Sequence, residues 1–384
     1  MDATQTAIAP PFRKTPETFA ECAKTLAQRY FVSPEIFAIE LSRIFSKQWV
    51  LVGHQSQVER TGEYFTVAIA QESLIIVRGK GGAIQGFYNV CRHRGSRLIE
   101  DRTGQLSAGI QCPYHAWTYA LDGRLLGAPH MDGAPGFSKT DHGLHPVELA
   151  VWEGFIFVNL SDVSKQQGSP IASEEWFAPL AGKFLRWNLP ALRSAKRIEY
   201  DVRANWKLIF ENYSECYHCL GVHPELSKIS PHDSAENDLT EGPFLGGFMR
   251  IAKGKSLTMS GNACALPTDQ FNEEDFRLVF YYSIFPNMLL SLHPDYVMVH
   301  QLLPQSAGRT LILCDWLFHP AAFKHADFNP DDAIEFWDMV NKQDWHVCEL
   351  SQQGIASRAY EPGPYSARES IPAAWDRYYL RFMH

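Results

Sequence analysis

Two stretches, CRHRGSRL (residues 91–98) and CPYHAWTYALDGRL (residues 112–125), decide how the first half of this chain folds. Each supplies one Cys and one His, namely Cys91 with His93 and Cys112 with His115. Two thiolates and two imidazoles this close in sequence can form a four-ligand metal site. The candidates are tetrahedral zinc and a [2Fe–2S] cluster with both Cys on one iron and both His on the other.

The way the ligand types are distributed favours the cluster. Zinc fingers usually place two Cys in one half and two His in the other, whereas here each half carries one of each. Two equivalent loops can therefore present Cys to one iron and His to the other. Gly95 and Pro113 suit tight loops whose backbone N–H groups approach the cluster sulfides.

The sequence around these motifs predicts a compact antiparallel β domain. From about residue 50 to residue 160, short apolar runs alternate with turn signals. Residues 35–50 carry apolar side chains at three-to-four-residue spacing and predict an amphipathic helix. Residues 161–170, SDVSKQQGSP, have the composition of a linker.

The second half mixes helices and strands, which predicts an α+β fold. A helix is predicted over 206–220, strands over 279–304 and 309–318, and a long helix over about 331–353. The 384 residues suggest two or three domains.

Composition argues against several classes of protein. A net charge of −8 disfavours nonspecific binding to nucleic acid or to anionic membranes. The sequence shows neither a membrane-length apolar stretch nor a secretory signal. We therefore expect a cytoplasmic protein with no nucleic-acid or membrane partner, in which the eight Cys are mostly reduced and buried.

The stretch NWKLIFENYSECYHCLGVHPEL (residues 205–226) carries a second group of candidate ligands. On the predicted helix, Glu215 and His218 share one face. His223 follows five residues after His218, and Gly221 is predicted to end the helix and turn His223 back toward it. The pair then offers two imidazoles to one metal ion.

Iron(II) that activates O2 usually needs a carboxylate beside two His. In the predicted helix 331–353, Asp344 has an apolar set of neighbours on its face, namely Trp337, Val340, Val347 and Cys348. Asp338 and Glu349 have polar neighbours instead. Because a buried carboxylate is costly unless it is paired or bound to metal, Asp344 is the predicted third ligand. Two alternatives stay open, a zinc site formed by Cys216 and Cys219 with the His pair, and an Asp344 paired only with Arg or His.

These stretches resemble the Rieske non-heme iron oxygenases, specifically the catalytic (alpha) subunits of the ring-hydroxylating oxygenase family. Residues 91–125 resemble the Rieske domain, residues 205–226 the mononuclear-iron segment, and the QDW at 343–345 the region of the distal ligand. The resemblance covers about residues 30–365. It implies a cluster held by Cys91, His93, Cys112 and His115. It also implies iron(II) held by His218, His223 and Asp344, with Glu215 as the acid between cluster and iron.

The resemblance also implies the domain organisation. An all-β Rieske [2Fe–2S] domain would occupy 46–160. A helix-grip catalytic domain with a central antiparallel sheet would occupy 161–384. An N-terminal helical segment, 1–45, would pack on the catalytic domain.

The implied activity is that of a terminal oxygenase. An NAD(P)H-dependent reductase with flavin or iron–sulfur centres would supply electrons one at a time to the cluster, and these would pass on to the iron, which activates O2. In an implied homotrimer, the cluster of one subunit lies near the iron of its neighbour. His115 or His93 would then bond to Glu215 across the interface.

The substrate depends on finer features of the resemblance. Ring-hydroxylating dioxygenases commonly carry Asp where this chain has Glu215. Three features are closer to the choline, glycine-betaine and carnitine monooxygenase branch. They are Glu215 itself, the stretch ENYSECYHC around it, and the segment YEPGPYS (residues 360–366). This implies oxidative N-demethylation or hydroxylation of a quaternary ammonium compound, bound in an aromatic box.

Other functions remain as alternatives. An aromatic acid could be hydroxylated or O-demethylated in a flat apolar slot. A Rieske electron carrier would leave the second half of the chain unexplained, and a zinc-binding structural protein would be colourless. Monooxygenation and dioxygenation both stay open.

Overall fold

The computed structural model describes residues 11–161, 171–265, 271–326 and 328–384. All but the first residue of the predicted linker, 161–170, lies outside the described residues. Within the described ranges, no helix is both long enough and apolar enough to span a lipid bilayer.

Short strands outnumber helices along the described chain. The strands are β1 Arg13–Lys14, β2 Val50–His54, β3 Glu63–Ile69, β4 Glu72–Arg78, β5 Ile84–Tyr88, β6 Thr103–Gln105, β7 Ile110–Gln111, β8 Thr118–Tyr119, β9 Leu125–Gly127, β10 Glu148–Trp152, β11 Phe155–Asn159, β12 Arg193–Val202, β13 Glu236–Leu239, β14 Phe244–Arg250, β15 Leu278–Ile284, β16 Met288–Leu292, β17 Val297–Ser306 and β18 Arg309–Phe318. The helices are α1 Arg29–Val32, α2 Pro34–Glu40, α3 Ser173–Phe177, α4 Trp206–Tyr213, α5 Cys219–Val222, α6 Pro224–Ile229, α7 Asp331–Ile355 and α8 Ser370–Leu380.

The described residues divide into two compact units. The first, here called the Rieske unit after the domain that its sequence resembles, runs from residue 41 to residue 184 and includes residues 189–191. The second, here called the catalytic unit after the same resemblance, combines the residues up to 40 with residues 185–188 and the chain from residue 192 onward. The Rieske unit is therefore an insertion in the chain of the catalytic unit.

The Rieske unit is built almost entirely of antiparallel strands, as predicted. Its three sheets have the orders β10-β11-β2, β5-β4-β3-β6 and β7-β8-β9. One difference concerns the predicted helix 35–50, which ends with a π-helical turn at Leu41–Phe45. The chain cannot continue as a helix to residue 50, because the apolar run that begins at Val50 pairs with β11.

The catalytic unit is organised around one antiparallel sheet of eight strands, in the order β1-β13-β14-β15-β16-β17-β18-β12. The predicted strand region 279–304 is three strands, β15, β16 and β17, and the predicted strand 309–318 is β18. The predicted long helix is confirmed as α7, which runs two residues beyond its expected end. Together with the all-β unit, this confirms the α+β fold class.

A buried ion pair joins three distant parts of the catalytic unit. The Lys207 ammonium and the Glu40 carboxylate are both fully buried and lie 2.5 Å apart. Tyr379 of α8 donates to Oε1 of Glu40 at 2.5 Å, and the indole N–H of Trp206 donates to Oε2 at 2.9 Å. Buried charges are tolerated when hydrogen bonds satisfy them in this way. The pair therefore connects the first segment of the unit to α4 and to the last helix.

The first and last described segments run beside each other. The backbone N–H of Thr25 donates to the carbonyl of Gly363 at 3.0 Å. The hydroxyls of Thr18 and Ser370 are hydrogen-bonded at 2.8 Å. These contacts bring the residues just before Thr18 close to the short 3-10 turn Ala367–Glu369, and both segments line the cavity described below.

Candidate metal centre and substrate cavity

Three side chains converge at one point of the catalytic unit. His223 Nε2 lies 2.9 Å from Asp344 Oδ1, and His218 Nε2 lies 3.2 Å from the same oxygen. The two Nε2 atoms are 3.2 Å apart. One ligand atom of each of these three residues lies within 4.8 Å of the ligand atoms of the other two. The structure thus brings together all three residues predicted for the mononuclear iron.

The backbone reaches this arrangement differently from the sequence-based expectation. The predicted helix 206–220 is wrong, because α4 ends at Tyr213, so Glu215 and His218 do not share a helix face. The Glu215 carboxylate accepts from the backbone N–H groups of Tyr217 and His218, which holds a loop where the helix was expected. His218 then caps the short helix α5, and His223 lies just beyond its end. Gly221 lies inside α5 and does not form the turn.

Both imidazoles are held through their Nδ1 atoms. His218 Nδ1–H donates to Glu215 Oε1 at 2.6 Å, and His223 Nδ1–H donates to Gln343 Oε1 at 2.7 Å. Because both acceptors are oxygens, Nδ1 of each ring is a donor, and Nε2 is the ring atom that faces the centre. Outer hydrogen bonds of this kind orient metal-ligating His and raise its basicity.

The electrostatics of the three residues suit a cation at their centre. Burial lowers the pKa of His218, but hydrogen bonds to Asp344 and Glu215 outweigh it and raise that pKa to about 10. Burial raises the pKa of Asp344, yet the two His neighbours hold it below its usual value. The group therefore favours a positive charge near the Asp344 oxygen. Two imidazoles, one carboxylate and open positions are the donor set of non-heme iron(II) sites.

The three residues open onto a cavity of about 330 Å³ within the catalytic unit. Its walls come from the loop after α4, from α6 and α7, and from the faces of β14, β15 and β17. Its aromatic lining residues are Tyr213, Tyr217, Phe248, Tyr281, Trp337 and Trp345. A concave site with apolar walls and a few convergent polar groups is the usual form of a small-molecule site.

Three of these rings form a continuous edge-to-face series. The ring centroids of Tyr213 and Tyr281 are 6.1 Å apart, and those of Tyr281 and Trp337 are 6.4 Å apart. Each ring presents a partly negative face, so such an arrangement can surround a cation that lacks hydrogen-bond donors.

Cys216 and Cys219 form a disulfide. This differs from the expectation of reduced packing thiols, because the loop after α4 brings the two sulfurs together on either side of His218. The bonded sulfurs are not available as zinc ligands in this arrangement. The alternative of a zinc site built from this Cys pair and the nearby His therefore loses its thiolates, while the carboxylate of Asp344 lies against both imidazoles.

The two predicted cluster loops of the Rieske unit have the same backbone hydrogen bonds. Cys91 N–H donates to the carbonyl of Ser96, and Cys112 N–H donates to that of Trp117, both at 2.8 Å. The residue four positions after each Cys donates back to the Cys carbonyl and has a positive φ, 72° at Gly95 and 57° at Ala116. The loops are therefore structurally equivalent, as the distribution of ligand types predicted.

The side chains of these loops fit a cluster with buried sulfur ligands and accessible His. Cys91 and Cys112 are buried, whereas His93 is exposed and its ring centroid lies 4.6 Å from that of His115. The buried Nδ1 of His115 has no hydrogen-bond partner among the described residues. An unsatisfied buried nitrogen is costly, and a metal at this position would satisfy it.

Backbone N–H groups lie close to the sulfur of Cys112, and one hydroxyl lies close to the sulfur of Cys91. Burial opposes ionisation of Cys112, but backbone N–H groups of Tyr114 and His115 lower the pKa of its thiol. The Tyr119 hydroxyl lies 3.2 Å from the sulfur of Cys91. For His93, loss of solvation and then the neighbouring His115 lower the pKa, which favours the neutral imidazole that binds metal.

Sequence reasoning missed two residues of the site, Gln343 and His300. Gln343, which orients His223, had a signal in its position directly before Asp344. His300 is buried in the wall of the cavity, donates from Nε2 to Asn341 at 3.2 Å, and has its pKa lowered by burial to about 4. The position of His300 in the predicted strand region 279–304 gave no indication that its side chain lies at the cavity.

Comparison with known families assigns both halves of the chain. Residues 48–139 match the family described as the Rieske [2Fe-2S] domain. Residues 189–384, just over half of the chain, match the family described as the ring hydroxylating alpha subunit (catalytic domain).

Individual proteins resemble the chain over most of its length. It is 33% identical, over 89% of its own length and 82% of the relative, to the glycine betaine monooxygenase oxygenase subunit of Chromohalobacter salexigens. It is 26% identical, over 92% and 82%, to the chloroplastic choline monooxygenase of Arabidopsis thaliana. A solved quaternary ammonium Rieske monooxygenase, described in connection with carnitine oxidation by gut microbiota, matches with a TM-score of 0.81 and 25% identity over 97% and 100% of the two chains. With two family matches and a relative of this identity and coverage, the chain belongs to the ring-hydroxylating Rieske oxygenase alpha subunits, enzymes that carry a Rieske [2Fe–2S] cluster and a mononuclear iron.

Proposed function

We propose that this chain is the terminal oxygenase that oxidises an N-methyl group of a small quaternary ammonium compound. The observation that carries the proposal is the cavity, which is lined both by a series of aromatic rings and by His218, His223 and Asp344. A tetraalkylammonium ion has no donor to satisfy a polar pocket, so ring faces are its natural partners. Relatives named for glycine betaine, choline and carnitine oxidation support the same substrate class.

The metal assignments of the sequence analysis belong to this proposal. His218, His223 and Asp344 would hold the iron, and Cys91, His93, Cys112 and His115 would hold the cluster. When bound, the cluster transfers single electrons and the iron activates O2. Hydroxylation consumes one O2, two electrons and two protons, and it leaves a quaternary hydroxymethyl ammonium ion and water. The C–N bond of this ion then breaks, which releases formaldehyde and a proton and leaves the tertiary amine.

The residues of the chain position these reactants. Glu215 and Gln343 fix the two imidazoles, and the aromatic rings hold the substrate cation with a methyl group toward the centre. Trp337 and Tyr281 exclude bulk water from that part of the cavity, since most of their surface is buried.

Electron delivery requires partners outside this chain. We propose an NAD(P)H-dependent reductase as donor and a homotrimer in which His115 or His93 of one subunit bonds to Glu215 of its neighbour. The division into 1–45, 46–160 and 161–384 and the cytoplasmic location are likewise proposals.

The test combines colour, metal content and turnover. The purified protein should be reddish-brown, contain inorganic sulfide, and hold three irons per loaded chain, since two come from the cluster and one from the catalytic site. With a partner reductase and NADH, glycine betaine, choline and carnitine are compared with aromatic acids and aryl methyl ethers. Formaldehyde release and O2 uptake stimulated by a trimethylammonium compound support the proposal. Stimulation by aromatic compounds alone contradicts it, and a colourless protein contradicts the whole assignment.

A further inference from the structure

The charges lining the cavity are unevenly distributed. Glu215 and Asp344 lie at the metal end, where they interact with the imidazoles. Two cationic side chains, Lys14 and Arg368, line the same cavity from other segments of the chain. One exposed acid, Asp233, also lines it. The cationic residues have no part in the metal centre.

Lys14 and Arg368 come from the two terminal segments that run side by side. Lys14 ends the edge strand β1 and is followed by the 3-10 turn Thr15–Thr18, and Arg368 lies in the turn Ala367–Glu369. The hydrogen bond between the hydroxyls of Thr18 and Ser370 joins these turns. The two exposed cations therefore line the cavity from adjoining segments of the chain.

Neither positive charge is neutralised by the protein. Within the described ranges, the ammonium of Lys14 and the guanidinium of Arg368 form no ion pair or side-chain hydrogen bond. Glu236, which pairs with Lys14 in the strand register, has its carboxylate 3.4 Å from Arg250 instead. Two unpaired cations beside a ligand cavity leave room for an anionic group of the ligand.

We propose that Lys14 and Arg368 bind the carboxylate of a zwitterionic trimethylammonium substrate, whose cationic end occupies the aromatic rings. The inference rests on the proposed function and narrows it to betaines in preference to choline. Glycine betaine and choline share the trimethylammonium group, but only the betaine carries a carboxylate. An arginine can bind a carboxylate through two parallel N–H bonds, and a lysine adds a mobile point charge.

The experiment compares these two substrates in three single variants. Lys14→Met and Arg368→Met remove each charge and keep a side chain of similar length. Arg13→Met is the matched control, because Arg13 is the neighbouring residue of β1, does not line the cavity, and donates to Thr240 at 3.2 Å. A fourth variant, Arg368→Lys, tests whether charge alone restores binding.

Binding is measured by calorimetry with the iron-loaded, oxidised enzyme, and KM and kcat are measured with reductase. We expect Kd and KM for glycine betaine to rise about ten-fold in each cavity Met variant, as is typical for the loss of a charged hydrogen bond. The values for choline should change by less than about two-fold, kcat should be kept, and Arg13→Met should match the wild type.

The outcomes separate this inference from the proposed function. If the wild type oxidises trimethylammonium compounds but the cavity Met variants leave the betaine-to-choline ratio unchanged, the carboxylate assignment is wrong. Equal weakening of both substrates also overturns it, since that result indicates a structural role. If the wild type neither binds nor oxidises any trimethylammonium compound, the proposed function itself fails.

Discussion

Asp376→Asn is expected to make the catalytic unit less sensitive to rising pH. Asp376 of α8 is buried against Glu211 of α4 and accepts a hydrogen bond from Tyr365 at 2.8 Å. Burial raises the pKa of Asp376 from 3.8 to about 7, although Tyr365 and Glu211 oppose the shift. Burial and then the Asp376 charge also raise the pKa of Glu211 well above its usual value. The pair therefore retains a proton in the folded protein that the unfolded chain releases.

The sign and size of the effect follow from this shift. A carboxyl group whose pKa is raised by folding stabilises the folded state below pH 4, and this contribution is lost as the pH rises through about 7. Between about pH 5.5 and pH 7.5, the free energy of unfolding should fall by about 2 kcal/mol from this group. Asparagine does not titrate and can still accept from Tyr365, so the variant should lack the part of this decline that comes from Asp376, while Glu211 still titrates.

The assay is urea unfolding at the two pH values, followed by the fluorescence of tryptophan, because Trp375 is buried next to the substituted position. Asp201→Asn is the control. Asp201 is exposed and Arg309 lowers its pKa, so its contribution is already complete at pH 5.5. If the Asp376→Asn variant loses as much stability as the wild type over this range, the reasoning is refuted. An equal flattening in the control would refute it as well.

Three further substitutions test the metal centres. Glu215→Gln should keep the iron content unchanged but reduce turnover ten- to hundred-fold, because an amide can still accept from the imidazole yet carries no charge; normal turnover would remove Glu215 from the electron path. Gln343→Leu should weaken iron binding by about ten-fold or more, measured by chelator competition, since His223 loses the partner of its Nδ1; unchanged affinity would contradict this. Tyr119→Phe should lower the cluster reduction potential by about 40 mV in protein-film voltammetry, which corresponds to one hydrogen bond of about 1 kcal/mol to Cys91; an unchanged or higher potential would show that this bond has no such effect.

Local patterns explain what the sequence could predict. Asp344 was identified because the apolar neighbours on its helix face indicated a buried side, and a buried acid requires a partner. The cluster loops were identified because alternation of Cys and His within each half distinguishes a two-iron site from a zinc finger. The first inference uses residues of one helix, and the second uses two short loops compared with each other.

Contacts between distant segments explain what it could not predict. The end of α4 depends on the Glu215 carboxylate binding backbone N–H groups, and a propensity argument treats that side chain as an ordinary helix residue. The pairing of Glu211 with Asp376 joins α4 to α8, which are far apart in the chain. Lys14 at the cavity had no local signal either, because β1 is a two-residue strand.

The buried ion pair of Glu40 and Lys207 limits where the protein can be truncated. A C-terminal fragment starting at residue 189, where the family match begins, would retain the lysine but lose the carboxylate that lies 2.5 Å from its ammonium. Such a fragment would place an uncompensated charge in the interior, which typically costs about 3–5 kcal/mol. To remove the Rieske unit without breaking this ion pair, the residues up to 40 would have to be kept together with residues 185–188 and the chain from residue 192 onward.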